Sequence, residues 1–317
     1  MNIFERLEIF VAKTFKTTVE IFLEALRISP NAQGYVSGSI TELLLKQHLE
    51  NIGYEVNRIK EKWEGKKHSF HHGDFYFRKD EQSPWFVLES KGVKSNTEHW
   101  NKLYNYPRLK KILFDYNEII HWIDKDKDIE PQIDKWILEN LPDMINSPML
   151  YSYEEIQDYL KTPPRRPTDK LLAMQELAKY SRVEIEKMIK DKLIYLMSKV
   201  RVLDTHFVSG TSGASERTQA TPRKDEFNLI SINIVLRYNG HKFLFANPKH
   251  LDSSGKDANH LQQNYIMGFV FPQPDGSLKL DLTDEWNENF NEVCETLDPA
   301  DAVDVNDMQI DIRNVII

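Results

Sequence analysis

The sequence predicts an α/β fold in which helices flank a central mixed β-sheet. Before residue 53, apolar residues recur with the three-to-four-residue period of amphipathic helices. Between residues 54 and 91 they form short runs bounded by glycine, proline and charged residues, which is typical of buried strands. After residue 167 a helical stretch precedes further strand-like runs, so we expect a C-terminal region of mixed α/β structure.

In the first half of the chain, these changes of period and local stop signals predict the secondary-structure elements. Ser29-Pro30-Asn31 is a breaker, Gly53 suits a helix C-terminus, and Pro107 interrupts a helical pattern. The predicted elements are a helix over 1–28, a helix from Ser37 to about Ile52, a strand at 54–59, a polar loop at 60–73, a strand at 74–77, a charged turn at 78–84, a strand at 85–91, a helix from Thr97 to about Tyr116, and a strand at 118–123.

A Pro- and Arg-rich stretch predicts a boundary between two regions of the chain. We assign residues 1–160 to a first domain, 161–169 to a linker and 170–317 to a second region. The second region predicts helices over 168–199 with a break near Tyr180-Ser181, then strands over 200–250 around a long loop at 209–221. Asn239-Gly240 lies between two apolar runs and predicts a hairpin. The last 45 or so residues carry only a weak pattern.

Composition excludes several classes of protein. No run of 18 apolar residues is present, which argues against a transmembrane helix, and charges interrupt the N-terminus too often for a signal or transit peptide. The single cysteine, Cys294, excludes an internal disulfide framework and a multi-cysteine zinc site. We therefore expect a cytoplasmic protein without a membrane partner.

The negative charge is concentrated at one end of the chain. The whole sequence carries −8, but the residues from Asp275 onward hold 12 acidic and two basic side chains, a net −10. The remaining residues therefore carry +2, which leaves room for a basic face that contacts nucleic acid. The acidic segment is either a solvated surface or a part with a role of its own.

Three charged residues of the predicted hairpin suit one kind of chemistry. Asp74 begins one strand, and Glu89 and Lys91 end its neighbour; residues two apart on a strand point to the same face. Two carboxylates on one face suit Mg²⁺, which takes oxygen ligands and keeps several waters. The lysine can stabilise the charge that develops on a phosphate, or position or help deprotonate the attacking water. These are the parts needed for metal-assisted phosphodiester hydrolysis.

This constellation resembles the PD-(D/E)XK nuclease superfamily, which contains most type II restriction endonucleases. The resemblance covers roughly residues 36–125, and Gly73 stands where the family often has a proline. It implies a restriction-endonuclease-like core, Asp74 and Glu89 as metal ligands, and Lys91 as the catalytic lysine. It also implies a glutamate from the preceding helix, Glu42, and the backbone carbonyl of Ser90 as a further ligand. The implied cofactor is Mg²⁺, with Mn²⁺ as an alternative.

Two basic segments are candidates for contacts with DNA. The first, at 60–73, precedes Asp74, and its lysines either touch the DNA backbone or are a solvated charge run. The second, at 209–224, combines small residues with arginine and glutamine, which read base edges; a flexible surface loop is the other interpretation. Lys94, shortly after Lys91, could also meet a phosphate. The candidates are therefore Lys66, Lys67, Lys94, Arg217, Gln219, Arg223 and Lys224.

These observations predict a Mg²⁺-dependent endonuclease that cuts double-stranded DNA and leaves a 5′-phosphate, as the resemblance implies. A type II restriction role is favoured because the chain has no Gly-x-x-x-x-Gly-Lys-Ser/Thr motif of an ATPase. Cutting both strands usually needs two sites, so we expect a homodimer. Three alternatives stay open: a repair, resolvase or modification-dependent nuclease, an RNA-directed nuclease, and a non-catalytic DNA-binding module on the same fold.

Overall fold

The computed structural model describes residues 1–60, 73–93, 106–146, 150–205, 207, 221–254 and 257–312. It has a mixed α/β architecture. The helices are α1 (Ile3–Phe15), α2 (Val19–Ile28), α3 (Pro30–Asn51), α4 (Tyr106–Asp115), α5 (Ile129–Asn140), α6 (Pro142–Asn146), α7 (Tyr153–Lys161), α8 (Asp169–Leu177), α9 (Arg182–Met197) and α10 (Phe290–Cys294). The strands are β1 (Glu55–Arg58), β2 (Phe75–Arg78), β3 (Phe86–Gly92), β4 (Arg201–Asp204), β5 (Leu229–Asn233), β6 (Phe243–Ala246), β7 (Ser253–Ser254), β8 (Asp257–Leu261), β9 (Ile266–Pro272) and β10 (Leu278–Leu282).

The main sheet has five strands in the order β1-β2-β3-β5-β6. Strands β3 and β5 are parallel, and every other neighbouring pair is antiparallel, so the sheet is mixed. A second sheet has the order β10-β9-β4, and β7 and β8 form a short ribbon. The predicted hairpin strands at 54–59, 74–77 and 85–91 are confirmed as β1, β2 and β3.

Three apolar clusters arrange these elements in layers. One joins α3 and α10 to a face of the main sheet, through residues such as Leu45, Leu88 and Phe290. A second fills the space between the two sheets, and includes Ile230 and Val270. The third joins the outer face of the second sheet to helices α4, α5 and α7–α9. The order of layers is therefore helices, main sheet, second sheet and helices.

The main sheet and the helical apolar cluster each contain residues from both sides of the predicted linker. The stretch after α7 is exposed and non-helical, as its prolines predict. However, β5 and β6 belong to the same sheet as β1–β3, and α8 and α9 share an apolar cluster with α4, α5 and α7. The segment 161–169 therefore does not separate the sheet of residues 1–160 from the region 170–317.

Three predicted elements differ from those observed. The helix expected over 1–28 is broken at Lys16, which is left-handed (φ 57°), because Thr18 caps a new helix. The next helix begins at Pro30 rather than Ser37, since Ser29 caps it and proline suits the first turn. Residues 118–123 form a 3₁₀ turn and loop instead of a strand, and their short apolar run packs against helices. The periodicity of so short a run does not distinguish a strand from a buried loop.

Other predictions are confirmed. Helices α8 and α9 are separated at Tyr180-Ser181, and β5 and β6 pair across the Asn239-Gly240 turn, where Gly240 has φ 144°. Of the helix predicted over 97–116, residues 106–115 are helical and 97–105 lie outside the described residues. Along the described ranges, no helix is both long and apolar enough to cross a bilayer.

The acidic C-terminal segment is folded onto the rest of the chain. It supplies β10 and α10, and its later residues form the isolated bridges Ile59↔Ile310, just after β1, and Trp85↔Val303, just before β3. The backbone N–H of Asp311 donates to the carbonyl of Arg58 at 2.8 Å. The segment thus covers the β1 side of the sheet next to the hairpin.

Candidate active site

The register of the β2–β3 hairpin brings the three predicted residues together. Phe75 pairs with Leu88, and Asp74, which directly precedes Phe75, lies close enough to Glu89 for its charge to raise the pKa of Glu89. Glu89 and Lys91 are two apart on β3 and point to the same face of the sheet. The two carboxylates and the lysine therefore meet at the open end of the hairpin, opposite the connection between β2 and β3.

The carboxylate of Asp74 is held by the backbone of β3. The Oδ2 of Asp74 accepts a hydrogen bond from the N–H of Ser90 at 2.7 Å. The backbone N–H of Asp74 donates to the carbonyl of Leu88 at 2.9 Å. Strand β2 begins at Phe75, so the N–H of Ser90 has no partner opposite it on that strand. The Asp74 carboxylate accepts its hydrogen bond instead. A strand residue turns its N–H and C=O to the same edge, so the Ser90 carbonyl also faces the Asp74 side.

Glu89 and Lys91 form a direct ion pair. The Nζ of Lys91 contacts Oε1 of Glu89, whose side chain is only 12% exposed. Lys91 itself is 35% exposed, so its ammonium can reach both solvent and the carboxylate. The cation at this position offsets part of the cost of burying the two acids.

Burial shifts the protonation of both acids. Burial raises the pKa of Asp74, although Lys91, the Ser90 hydrogen bond and Arg58 act in the opposite direction. Burial and the neighbouring Asp74 raise the pKa of Glu89 to about 8, against the attraction of Lys91. Burial alone lowers the pKa of Lys91, but the nearby carboxylates outweigh it, and the net shift is upward. Without a cation, Glu89 therefore keeps its proton near neutral pH.

The predicted helix glutamate has a different partner. Oε2 of Glu42 lies 2.7 Å from Nη2 of Arg58, at the end of β1. Helix α3 packs on the face of the sheet that carries Leu88, and strand alternation turns Glu89 and Lys91 to the other face. Glu42 still raises the pKa of Lys91 through its charge. The structure thus places Glu42 beside the site but pairs it with arginine.

Of the seven candidates for DNA contacts, the structure describes two. Five of them lie outside the described residues, so their contacts stay predictions; they are Lys66, Lys67, Lys94, Arg217 and Gln219. Arg223 forms an ion pair with Asp225 at 2.8 Å, and Nζ of Lys224 contacts the carbonyl of Leu251. Both basic groups are therefore engaged within the protein, and a role in binding DNA stays a prediction.

Sequence reasoning missed Arg58 and Glu226. Arg58 pairs with Glu42 and lowers the pKa of Asp74, while the charge of Glu226 raises the pKa of Glu89. Arg58 had one visible signal, a basic residue at the end of an apolar strand pattern. Its partner Glu42 could not be predicted, because the pairing depends on the face of the sheet on which α3 packs. Glu226 had no distinguishing signal.

The donor set fits a hard divalent cation. Among the described residues, no three His, Cys, Asp or Glu side chains form a ready-made metal cage. Mg²⁺ does not need one, since it is commonly held by one or two carboxylates, waters and substrate phosphates. Asp74 and Glu89 supply two carboxylates whose repulsion a cation would relieve, and the Ser90 carbonyl supplies a neutral oxygen.

Comparison of the chain with protein-family models, curated proteins and solved structures gives no match. The interpretation of the site therefore depends on its geometry, its electrostatics and the residue types present.

Proposed function

We propose that the protein is a Mg²⁺-dependent endonuclease that hydrolyses phosphodiester bonds of double-stranded DNA, with a restriction-endonuclease-like core. The observation that carries the proposal is the meeting of Asp74, Glu89 and Lys91 at one end of the β2–β3 hairpin, with Asp74 fixed by the Ser90 N–H. The mixed sheet flanked by helices agrees with such a core. We further propose a cytoplasmic restriction enzyme that acts as a homodimer.

The mechanism assigns a separate task to each residue. Asp74 and Glu89 would hold the metal, with the Ser90 carbonyl as a third donor; when bound, Mg²⁺ supplies Lewis-acid stabilisation of charge on the phosphate. Glu89 must lose its proton to act as a ligand, and its raised pKa makes that loss sensitive to pH. Lys91 stays protonated near neutral pH, because its pKa is raised, and its ammonium stabilises charge on the scissile phosphate.

The experiment that tests this function compares substrates of matched sequence. End-labelled duplex DNA, unmodified or methylated, and the same sequence as RNA are incubated with the protein and either Mg²⁺ or EDTA. We expect discrete cuts in duplex DNA with Mg²⁺ only, and product ends that carry a 5′-phosphate. Cleavage of RNA alone would replace DNA as the substrate. Binding of DNA without cleavage of any substrate would contradict an enzymatic role.

Gly73 permits the close approach that positions Asp74. A Cβ added there would lie 2.4 Å from Cγ1 of Val87 and 3.0 Å from the carbonyl oxygen of Leu88, which accepts from the Asp74 N–H. We expect Gly73→Ala to slow single-turnover cleavage at least about 10-fold, because the carboxylate is displaced. Urea denaturation should show a loss of about 1–3 kcal/mol in unfolding free energy.

Gly92→Ala is the matched control for this variant. Gly92 ends β3, is exposed, and has no heavy atom within 4 Å of an added Cβ. Equal cleavage rates for Gly73→Ala and Gly92→Ala would mean that the close approach at Gly73 does not position Asp74.

A further inference from the structure

The first 40 residues form a surface that the rest of the described chain leaves uncovered. We call α1, α2 and the part of α3 up to residue 40 the N-terminal arm. Val11 is its only buried residue. Large apolar side chains of the arm face solvent, among them Phe4 (73% exposed), Phe10 (52%), Ile21 (61%) and Tyr35 (81%).

The helices of the arm lack the packing that helices of this length need. Helices of 13 and 10 residues, such as α1 and α2, are marginal in water without tertiary contacts. Residues 33–40 of α3 are exposed on every face of the helix and carry no charge. Gly34 and Gly38 within this stretch each cost about 1 kcal/mol relative to alanine, and nothing lies within 4 Å of either Cβ position. The arm therefore gains stability when a second surface covers it.

The exposed apolar area is large enough for a stable dimer. Eleven large apolar side chains between residues 3 and 40 are exposed. At roughly 100 Å² each, they present on the order of 1,000 Å² in total over the three helices of the arm. A specific interface buries about 800 Å² on each partner, so the arm alone meets that requirement.

Charge favours a second copy of the chain over a nucleic acid or a lipid surface. Residues 1–40 contain four acidic and four basic side chains and are neutral, although the chain carries −8. Helices that bind anionic lipid carry a face rich in lysine and arginine, and the arm has no such excess. Two neutral arms can approach each other without the repulsion that the acidic remainder of each chain would produce.

We propose that the N-terminal arm is the interface through which two copies of this chain form a two-fold dimer. Helices α1 and α2 of one copy pack against the same helices of the other, so that one self-complementary patch serves both. This inference rests on the homodimer of the proposed function and adds its interface, but it holds whether or not the chain cleaves DNA. Helix α3 continues from the arm to Glu42 and to Leu45 under the sheet, so the interface would also fix the relative positions of two sites.

The test is sedimentation equilibrium of the full-length protein from about 1 to about 50 μM, because dimerisation depends on concentration. We compare wild type with Phe10→Glu/Ile21→Glu, which places two charges on the arm. Leu172→Glu is the matched control, an apolar residue 55% exposed on α8. Circular dichroism checks that each variant is folded, and Phe10→Glu alone serves as a second variant if the double substitution unfolds.

We expect wild type and Leu172→Glu to sediment as dimers, and the arm variants to weaken dimerisation at least about 100-fold. A wild-type monomer over this range would overturn the proposal, including one that binds lipid vesicles or another protein. A folded arm variant that stays as dimeric as wild type would overturn it too. None of these readings requires catalytic activity, so failure here is distinct from failure of the proposed nuclease function.

Discussion

We expect Lys91→Met to slow single-turnover cleavage of duplex DNA by roughly 100- to 1,000-fold with Mg²⁺ present, because a positioned charge that stabilises the transition state contributes about that much. Methionine keeps the length of the side chain and removes the ammonium that contacts Glu89. Lys91→Arg should recover part of the rate, since it keeps the charge but changes its geometry. The measurement is a single-turnover time course at saturating protein.

Lys110→Met is the matched control for Lys91→Met. Lys110 on α4 is also a partly buried lysine between two acids, at 2.8 Å from Asp134 and 3.2 Å from Glu130, but it lies outside the site. We expect this variant to cleave at the wild-type rate. Equal losses in both variants would mean that any paired lysine supports the fold and that Lys91 has no special role.

Without metal, Glu89→Gln should stabilise the protein at alkaline pH. The folded state holds the proton of Glu89 up to about pH 8, whereas the unfolded chain releases it near 4.5. This group therefore lowers the free energy of unfolding as pH rises from about 4.5 to about 8, and the full cost is present above pH 8. Glutamine removes the titration. We expect the free energy of unfolding to rise by about 1–2 kcal/mol at pH 9. The loss of the contact between residue 89 and Lys91 keeps this gain small.

Urea denaturation in EDTA at pH 5, 7 and 9 measures this gain as a difference from wild type. The gain should grow with pH, and Mg²⁺ should stabilise wild type more than the variant. Glu81→Gln, an exposed residue of the β2–β3 turn, is the control and should leave the stability unchanged at each pH. A variant less stable than wild type at pH 9 would show that the Glu89–Lys91 ion pair outweighs the cost of burying the acid.

The hairpin and its charged residues were predictable because they depend on short-range rules. Alternation places Glu89 and Lys91 on one face, and the short connection at 79–85 pairs β3 with the strand that begins after Asp74. The apolar runs of β1, β2 and β3 are bounded by residues that disfavour strands. Local patterns therefore determine both the strands and the central part of the site.

The rest of the architecture depends on contacts between distant segments. Strand β5 lies parallel to β3 although more than 130 residues separate them, and the C-terminal residue Ile310 pairs with Ile59. No local pattern specifies such pairings. For this reason the Pro- and Arg-rich stretch at 161–169 could not show that β5 and β6 join the sheet of β1–β3, since it reports local flexibility and not which strands associate.

Errors at single elements have local physical causes. The break between α1 and α2 depends on the cap at Thr18, which a continuous apolar stripe conceals. The run at 118–123 is too short to separate strand from loop, and packing against helices decided its structure. In the site, the pairing of Glu42 with Arg58 follows from the face of the sheet on which α3 packs, which the sequence does not state.

Cleavage of one supercoiled plasmid by wild type and Lys91→Met in parallel, each with Mg²⁺ and with EDTA, tests the central claim most directly. We predict linear or nicked product from wild type with Mg²⁺ only, and almost none from the variant or from EDTA samples. Cleavage by Lys91→Met at the wild-type rate, or in EDTA, would contradict the assignment of the site. Intact plasmid in every sample, with DNA binding retained, would contradict the nuclease function itself.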